Sequence, residues 1–460
     1  MSPAKPSAPA AEAALDERQA EALLAVWLAK GALIAVSGGP DSMALLGLSA
    51  RLAAKRGGRK PEAFTFDHGL REESGAEAAA VARACGELGL KHHVRRWPAA
   101  VRPRSGLQAA ARLARYAAAI GVAKEAGLGA VLTAHHRDDV AETVLMRLAR
   151  SSEPRALAGI EPSLLREGWP QIGRPFLGVA RAELATTCAA LGLPKVEDPS
   201  NRDPAFERAR IRAAMPALAA IGIDAARLVD FANRQRTIAA AFEAEAEGAL
   251  AEAEVSETGV IHLPRPGGWR NRLGEEAWLA AVRRLVIAAA GATSAPTRDK
   301  LAALDAALGA AMAGEGAARH TLHGAQISLA AEGLSLWREW GREGPAPLAA
   351  DSGAPIIFDG RYIVAPHPRA ASGTRLAGFG VTGRGGEAER SLPALFAGET
   401  CLAVPPCLAA KAPQGCRSDL EATPIIAARL KDRHLGGLYD RLMVENRLPG
   451  AAGRAALAKA

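Results

Sequence analysis

Aromatic residues make up only 4% of these 460 residues, cysteine occurs five times, and no run of about eighteen apolar residues appears. Each shortage excludes something. Without a long apolar run, no membrane span is expected. Residues 1–12 are Pro/Ala-rich without an apolar core or a leading basic cluster, so they read as a disordered tail and not as a signal peptide. Cys85, Cys188, Cys401, Cys407 and Cys416 are few and odd in number, which suits a reducing, cytoplasmic setting better than a disulfide framework. The last three are spaced too widely for the usual paired zinc ligands. A hydrophobic fraction of 49% is ordinary for a globular chain, and the length calls for two or three domains. Abundant alanine is read first as composition bias and only second as helix richness. The formal net charge of +8 points toward a polyanionic partner.

Strand-like and helix-like stretches alternate from Gly31 to about Leu193. Short apolar runs at Ala32–Val36, Ala63–Phe66, His92–Trp97 and Ala130–Thr133 are each followed by a helical pattern, at Ser42–Leu52, Glu77–Leu88, Leu107–Glu125 and Asp139–Ala149. Such alternation implies βαβ units and an α/β fold with a doubly wound parallel sheet. Sheets of that kind bind ligands at the carboxyl ends of their strands, where most of the polar clusters here fall. A helical domain is expected over 215–345, after an α/β domain over 13–214. Beyond a Pro/Asp-containing linker, short β-type runs cut by Gly and Pro predict a small β-rich C-terminal domain over 346–460.

Ser37-Gly38-Gly39-Pro40-Asp41-Ser42 lies between the first strand and the first helix. Glycines let the backbone turn tightly and approach a ligand, and the helix start offers unpaired N–H groups to an anion. The serine hydroxyls add donors, and Asp41 can orient amides or hold Mg²⁺. The loop lacks the Gly-Lys-Ser/Thr ending of a Walker A motif. Further polar clusters are Phe66-Asp67-His68-Gly69-Leu70-Arg71, Gln108 with Arg112, Arg115 and Tyr116, Thr133-Ala134-His135-His136-Arg137-Asp138-Asp139-Val140-Ala141-Glu142-Thr143, and Glu197-Asp198-Pro199-Ser200-Asn201-Arg202-Asp203 before the Arg208–Arg212 stretch.

The first loop resembles the signature of the ATP pyrophosphatase (PP-loop) superfamily, and the clusters together resemble the motif set of the tRNA-isoleucine lysidine synthetases over about residues 30–212. The sequence departs from that pattern at Ser151–Gly159, where the family has a Gly/Ser-rich turn, and at Thr133-Ala134-His135. The resemblance implies a ligase that uses ATP and Mg²⁺, with free L-lysine and tRNA(Ile) bearing a CAU anticodon as its partners; a homodimer is left open. Other readings are another PP-loop enzyme such as a tRNA thiolase, disfavoured by the lack of a Cys-x-x-Cys pair, or a non-catalytic tRNA-binding protein.

In the reaction so implied, Ser37 to Ser42 hold the nucleotide, and Asp41 with Asp138 are candidates for Mg²⁺. Asp139 and Glu142 stand three apart on a helix and share a face, as proton acceptors or as first-turn helix acids. Asp67 and His68 are further acceptor candidates. His135 and His136 either orient nucleotide or are satisfied histidines at the sheet edge. Arg112 and Arg115 can meet phosphate, the lysine carboxylate or tRNA, Arg208–Arg212 can grip the tRNA backbone, and Asp198, Ser200 and Asn201 read as a capping turn that can line the site.

Overall fold

The computed structural model describes residues 13–69, 74–98, 102–103, 105–196, 204–314, 316–351, 353–432, 435 and 437–444. Leu70, Arg71 and the cluster 197–203, with Asp198, Ser200 and Asn201, therefore lie outside the described residues. The chain divides into two compact units, Met1–Ala239 and Ala240–Ala460.

The first unit begins with helix α1 (Glu17–Leu28), started by a reciprocal cap between Asp16 and Gln19. Strand β1 (Ala32–Ala35) follows and then α2 (Pro40–Arg56). Proline at the first helical position needs no N–H there, and Gly57 at φ 65° closes the helix in the left-handed region. The chain continues through β2 (Glu62–Asp67), α3 (Ser74–Glu87), β3 (His92–Arg96), α4 (Leu107–Glu125), β4 (Ala130–Leu132), α5 (Arg137–Leu148) and α6 (Pro154–Leu157). It ends with β5 (Ser163–Leu164), β6 (Gln171–Gly173), α7 (Arg181–Ala190), α8 (Glu207–Ala220) and the first part of α9 (Ala225–Ala251).

The sheet order is β3-β2-β1-β4-β6-β5, parallel except for the edge strand β5. Ala32, Leu33 and Ile34 of β1 and all of β4 are buried, as the two central strands of a sheet covered on both faces must be. Leu24, Leu45, Ala63, Leu132, Phe176 and Leu184 join them in one apolar core. The order reverses direction between β1 and β4, and the loops leaving these two neighbours open a crevice at the carboxyl edge.

The second unit holds β7 (Glu254–Val255), β8 (Ile261–Leu263), α10 (Pro266–Arg272), α11 (Glu275–Ala290), α12 (Arg298–Ala313), β9 (Ala318–Leu322), β10 (Ala325–Ala330) and β11 (Gly333–Arg338). Then come β12 (Leu348–Ala349), β13 (Ile356–Phe358), β14 (Tyr362–Val364), β15 (Thr374–Gly378), β16 (Pro393–Ala397), β17 (Thr400–Ala403) and β18 (Ala422–Pro424). These form three antiparallel sheets, ordered β7-β8-β11-β10-β9, β12-β15-β16-β17 and β13-β14-β18. Helix α11 is apolar nearly all round and is accordingly buried from Ala277 to Ala290.

The domain bounds expected from sequence differ from this division. Residue 214 falls inside α8, and the stretch expected to be helical carries a five-stranded sheet as well as helices. No core boundary falls at 345, because Ile261, Leu285 and Ile327 share one apolar cluster with Phe358, Leu395 and Leu408. The start of the expected linker is packed too: a Cβ at Gly378 would come within 3.1 Å of Pro345, and one at Gly378 or Gly380 within 2.6–2.7 Å of the Trp340 ring just before it.

Candidate active site at the ends of β1 and β4

The loop after β1 is built to keep its backbone open to an anion. Gly38 sits at φ 86°, a conformation that would strain any side chain, and its carbonyl accepts from Val196 N–H at 2.9 Å. Ser42 Oγ donates to Gly39 O at 2.9 Å and accepts from Ser37 N–H at 3.2 Å, so the two serines brace the turn. The seventeen-residue helix α2 begins at Pro40 and directs its positive end at this loop. Ser37, Gly38, Gly39, Pro40, Asp41 and Ser42 thus form one cradle. Asp41 leans from its first turn toward the end of β4.

There His136 is 3% exposed and gathers the acids. Its Nε2 lies 3.6 Å from Asp41 Oδ2 and 3.5 Å from Asp139 Oδ2, and its Nδ1 lies 3.7 Å from Asp138 Oδ2. His136 is also the N-cap of α5: its backbone N–H donates to Asp139 Oδ2 at 3.1 Å, and its side chain accepts from Asp139 N–H. Burial opposes a charged imidazole here. The Asp41 hydrogen bond and the charges of Asp139, Asp41 and Asp138 outweigh it and raise the histidine above its ordinary value.

The adjacent histidine faces the opposite field. His135 is held well below its ordinary value by burial and then by Arg174, Arg112, Arg115 and Arg208, so it stays neutral, with Nδ1 2.8 Å from Thr133 Oγ1. Arg112 and Arg115 from α4 lie 5.1 and 6.0 Å over the Tyr116 ring. Arg174, just beyond β6 and 5% exposed, donates to Glu161 O at 2.6 Å and approaches Tyr116 OH at 3.4 Å, while its Nε is buried without a partner. Burial alone would raise the Tyr116 phenol, but Arg174, Arg112 and Arg115 bring it down to about 8. Among the described residues, none of Arg112, Arg115 and Arg174 has a carboxylate within ion-pair distance. Several guanidinium groups crowded together without counter-charge are costly unless an anion arrives.

The pair read from helix spacing does not act as a pair. Asp139 turns to His136, whereas Glu142, 1% exposed, accepts from Arg212 Nε at 2.7 Å and lies 3.1 Å from Arg208 Nε. Both Glu142 oxygens are engaged, so it anchors α8 to α5. Arg208 and Arg212 are turned to that ion pair, and Arg210 donates to the carbonyls of Pro204 and Ala205. Asp67 accepts from Gly69 N–H at 2.7 Å and lies 3.4 Å from Arg96 Nε. His68 stacks edge-on against Phe66 and Trp97. Arg174 escaped the sequence reading; its one local signal is a charge at the carboxyl end of a short strand.

For Mg²⁺ the residues give a partial fit. Asp41 Oδ1 is buried with no hydrogen-bond partner, the kind of oxygen a hard cation takes. Asp138 lies on the other side of the His136 ring and already accepts from Arg181 N–H at 3.0 Å. Among the described residues no group of three His, Cys, Asp or Glu converges as a metal cage, so phosphate oxygens would complete the shell around Asp41.

Comparison with known proteins accords with this geometry. A family model for the PP-loop domain matches residues 13–218. The tRNA(Ile)-lysidine synthase of Methylobacterium sp. (strain 4-46) is 45% identical over 307 residues, covering 65% of this chain and 81% of that one. Its counterpart from Methylobacterium nodulans is 43% identical over 334 residues, covering 70% of this chain and 95% of that one. A solved U34-tRNA thiolase from Methanococcus maripaludis is 16% identical with a TM-score of 0.40, covering 47% of this chain and 77% of that one, too loose a likeness to bear on function. The phosphate cradle, the strand order around it and the long reach of these matches agree, and the chain belongs to the tRNA(Ile)-lysidine synthase family.

Proposed function

We propose that this protein adenylates the wobble cytidine of tRNA(Ile) with the CAU anticodon and joins free lysine to its C2, forming lysidine. The observation that carries this reading is the meeting, at the ends of β1 and β4, of a phosphate cradle, an acid-lined histidine and arginines that have no carboxylate partner among the described residues. A carbonyl oxygen on C2 is a poor leaving group until it is phosphorylated. The C2 oxygen attacks the α-phosphorus of ATP, the bond to the β-phosphate breaks, and pyrophosphate departs. The ε-amino nitrogen of lysine then attacks C2, the C2–O bond breaks, and AMP leaves with the oxygen.

The cradle and the α2 N-terminus hold the phosphates, and His136 beside Asp41 offers a proton or positive charge to the departing groups. Asp41 would hold Mg²⁺, which supplies charge neutralisation on the phosphates when bound. Lysine enters as an ammonium with a pKa of about 10.4 and must lose a proton to attack. Asp139, which meets His136 through Oδ2 alone, is the acceptor of choice over the doubly paired Glu142. Arg112, Arg115 and Arg174 suit a carboxylate or a phosphate.

A sulfur-transfer reading finds no support in the thiols of the first unit. Burial pushes Cys85 up to about 11 and raises Cys188, and a thiol held protonated is a poor nucleophile. The test is ATP-dependent incorporation of radiolabelled lysine into an isoleucine tRNA transcript with a CAU anticodon. Labelling should vanish when the wobble cytidine is replaced. Equal labelling of that control would overturn the assignment.

A further inference from the structure

Two thiols of the second unit lie against each other, and the reading of the site above uses neither. Cys401 Sγ is 3.0 Å from Cys416 Sγ, about one ångström beyond a disulfide bond of about 2.05 Å. Both backbones are fixed. Cys401 sits on β17 opposite Phe396 of β16. The segment after Cys416 is tied alongside β17 by an isolated bridge, with Arg417 N–H donating to Leu402 O at 3.0 Å, Val404 N–H to Arg417 O at 2.8 Å and Leu420 N–H to Val404 O at 3.1 Å. Between the two cysteines runs a short helical turn, Pro406–Lys411, whose Lys411 is paired with Glu389 at 2.6 Å. The sulfurs therefore meet in a frame built from main-chain bonds, and a small side-chain rotation is enough to join them.

Their exposures differ in a useful way. Cys401 is 8% exposed, whereas Cys416 is half-buried and reachable by a small solute. Burial, and after it the neighbouring Cys416 sulfur, keeps Cys401 a thiol. Cys407 is exposed but points to no partner thiol, and Cys85 and Cys188 are buried in the first unit.

We propose that Cys401 and Cys416 are a redox pair that closes to a disulfide when the protein meets a peroxide. The Cys416 sulfur attacks one peroxide oxygen as the O–O bond breaks and becomes a sulfenic acid, and the departing hydroxide takes up the proton given by the thiol and leaves as water. The Cys401 sulfur then displaces that hydroxyl as a second water, so one hydrogen peroxide takes two hydrogen atoms from the pair. The new bond staples the loop spanning 401–416 to β17 and restricts the unfolded chain of the second unit. A dithiol reductant reverses it.

The test uses the full-length reduced protein exposed to hydrogen peroxide. Free thiols should fall from five to three, a peptide pair joining Cys401 to Cys416 should appear in non-reducing mass mapping, and dithiothreitol should restore both. The melting temperature of the second unit should rise by roughly 5–10 °C on oxidation. Cys416→Ser should abolish the cross-link and the shift, and Cys401→Ala should do so from the buried side. Cys407→Ser should change neither. Persistence of five thiols, added oxygen on Cys416 without a cross-link, or bonding through Cys407 between copies would each overturn the proposal.

Discussion

His135 and His136 are neighbours in the chain, yet one stands among arginines and the other among aspartates. The first is kept neutral by Arg174, Arg112, Arg115 and Arg208, and the second is drawn toward protonation by Asp41, Asp139 and Asp138. Alternate side chains leaving a strand point to opposite sides, so two consecutive residues at the end of β4 can address two fields. The contrast teaches how one crevice handles a reaction with opposite demands. In the proposed reaction, polyphosphate and its cation would take the aspartate side beside the α2 N-terminus. An anionic group of the acceptor would, on the same proposal, take the arginine side.

The comparison breaks most completely at Asp41. Asp41→Ala should remove the proposed Mg²⁺ ligand and the partner of His136 together, lowering kcat for lysine incorporation by at least about 10²–10³-fold, and near-normal turnover would refute the proposed phosphate site. On the arginine side, Arg174→Leu should lower kcat/KM by roughly 10–100-fold, the range expected for one lost charge-assisted hydrogen bond. The same variant should let the Tyr116 phenol climb from about 8 toward its ordinary value, visible by ultraviolet titration, since the chain has three tyrosines and Tyr362 is pushed by burial up to about 12. An unmoved titration would show that Arg174 does not set the field there.

Glu142 separates structure from chemistry. Glu142→Gln leaves Arg208 and Arg212 facing an uncharged amide, and stability should drop by about 2–4 kcal/mol in denaturant titration, less than for a wholly dry pair because both arginines are partly exposed. Lysine incorporation by the surviving folded fraction should stay within about tenfold of the parent; a far larger loss with unchanged stability would return Glu142 to the reaction.

The smallest expected effect is on stability against pH. His136 is raised, so its contribution is fully present below about 6.5 and is lost as pH rises through its higher folded-state value. His135 is lowered, so its contribution is present above about 6.5 and is lost as pH falls toward its folded-state value. His136→Gln should therefore flatten the alkaline limb of the stability profile, and His135→Gln the acid limb. Identical profiles for the two variants would erase the distinction between the two sides.

What could be read from the sequence was whatever chemistry is local. The cradle Ser37–Ser42 is contiguous, and α4 was expected at its observed bounds because apolar spacing and length report directly on a helix. The partners of Glu142 and Arg174 lie 70 and 58 residues away, and no periodicity reveals them. Spacing placed Asp139 and Glu142 on one helix face, but it could not show that tertiary neighbours would claim them separately. In the second unit, strands of two to six residues set among alanine-rich helices left too short a pattern to register, so a five-stranded sheet was read as helical. The shared core across residue 345 was hidden for a related reason: Trp340 meets Gly378 and Gly380 through an absence of side chain, which propensity cannot show.

Helix α11 carries a temporal consequence. Its buried Arg284 needs the Leu430 carbonyl, 146 residues later, and the Ala292 carbonyl beyond its end accepts from Arg429, 137 residues later. At about 5–20 residues per second, a ribosome takes roughly 7–30 s to travel from Arg284 to Leu430. Through that interval the Arg284 guanidinium, which earlier residues Glu243 and Glu247 already face, still lacks its main-chain acceptor, while the first unit already has every strand of its sheet. The first unit thus has the strands of its sheet in hand before the second unit has the residues that complete the contacts of α11.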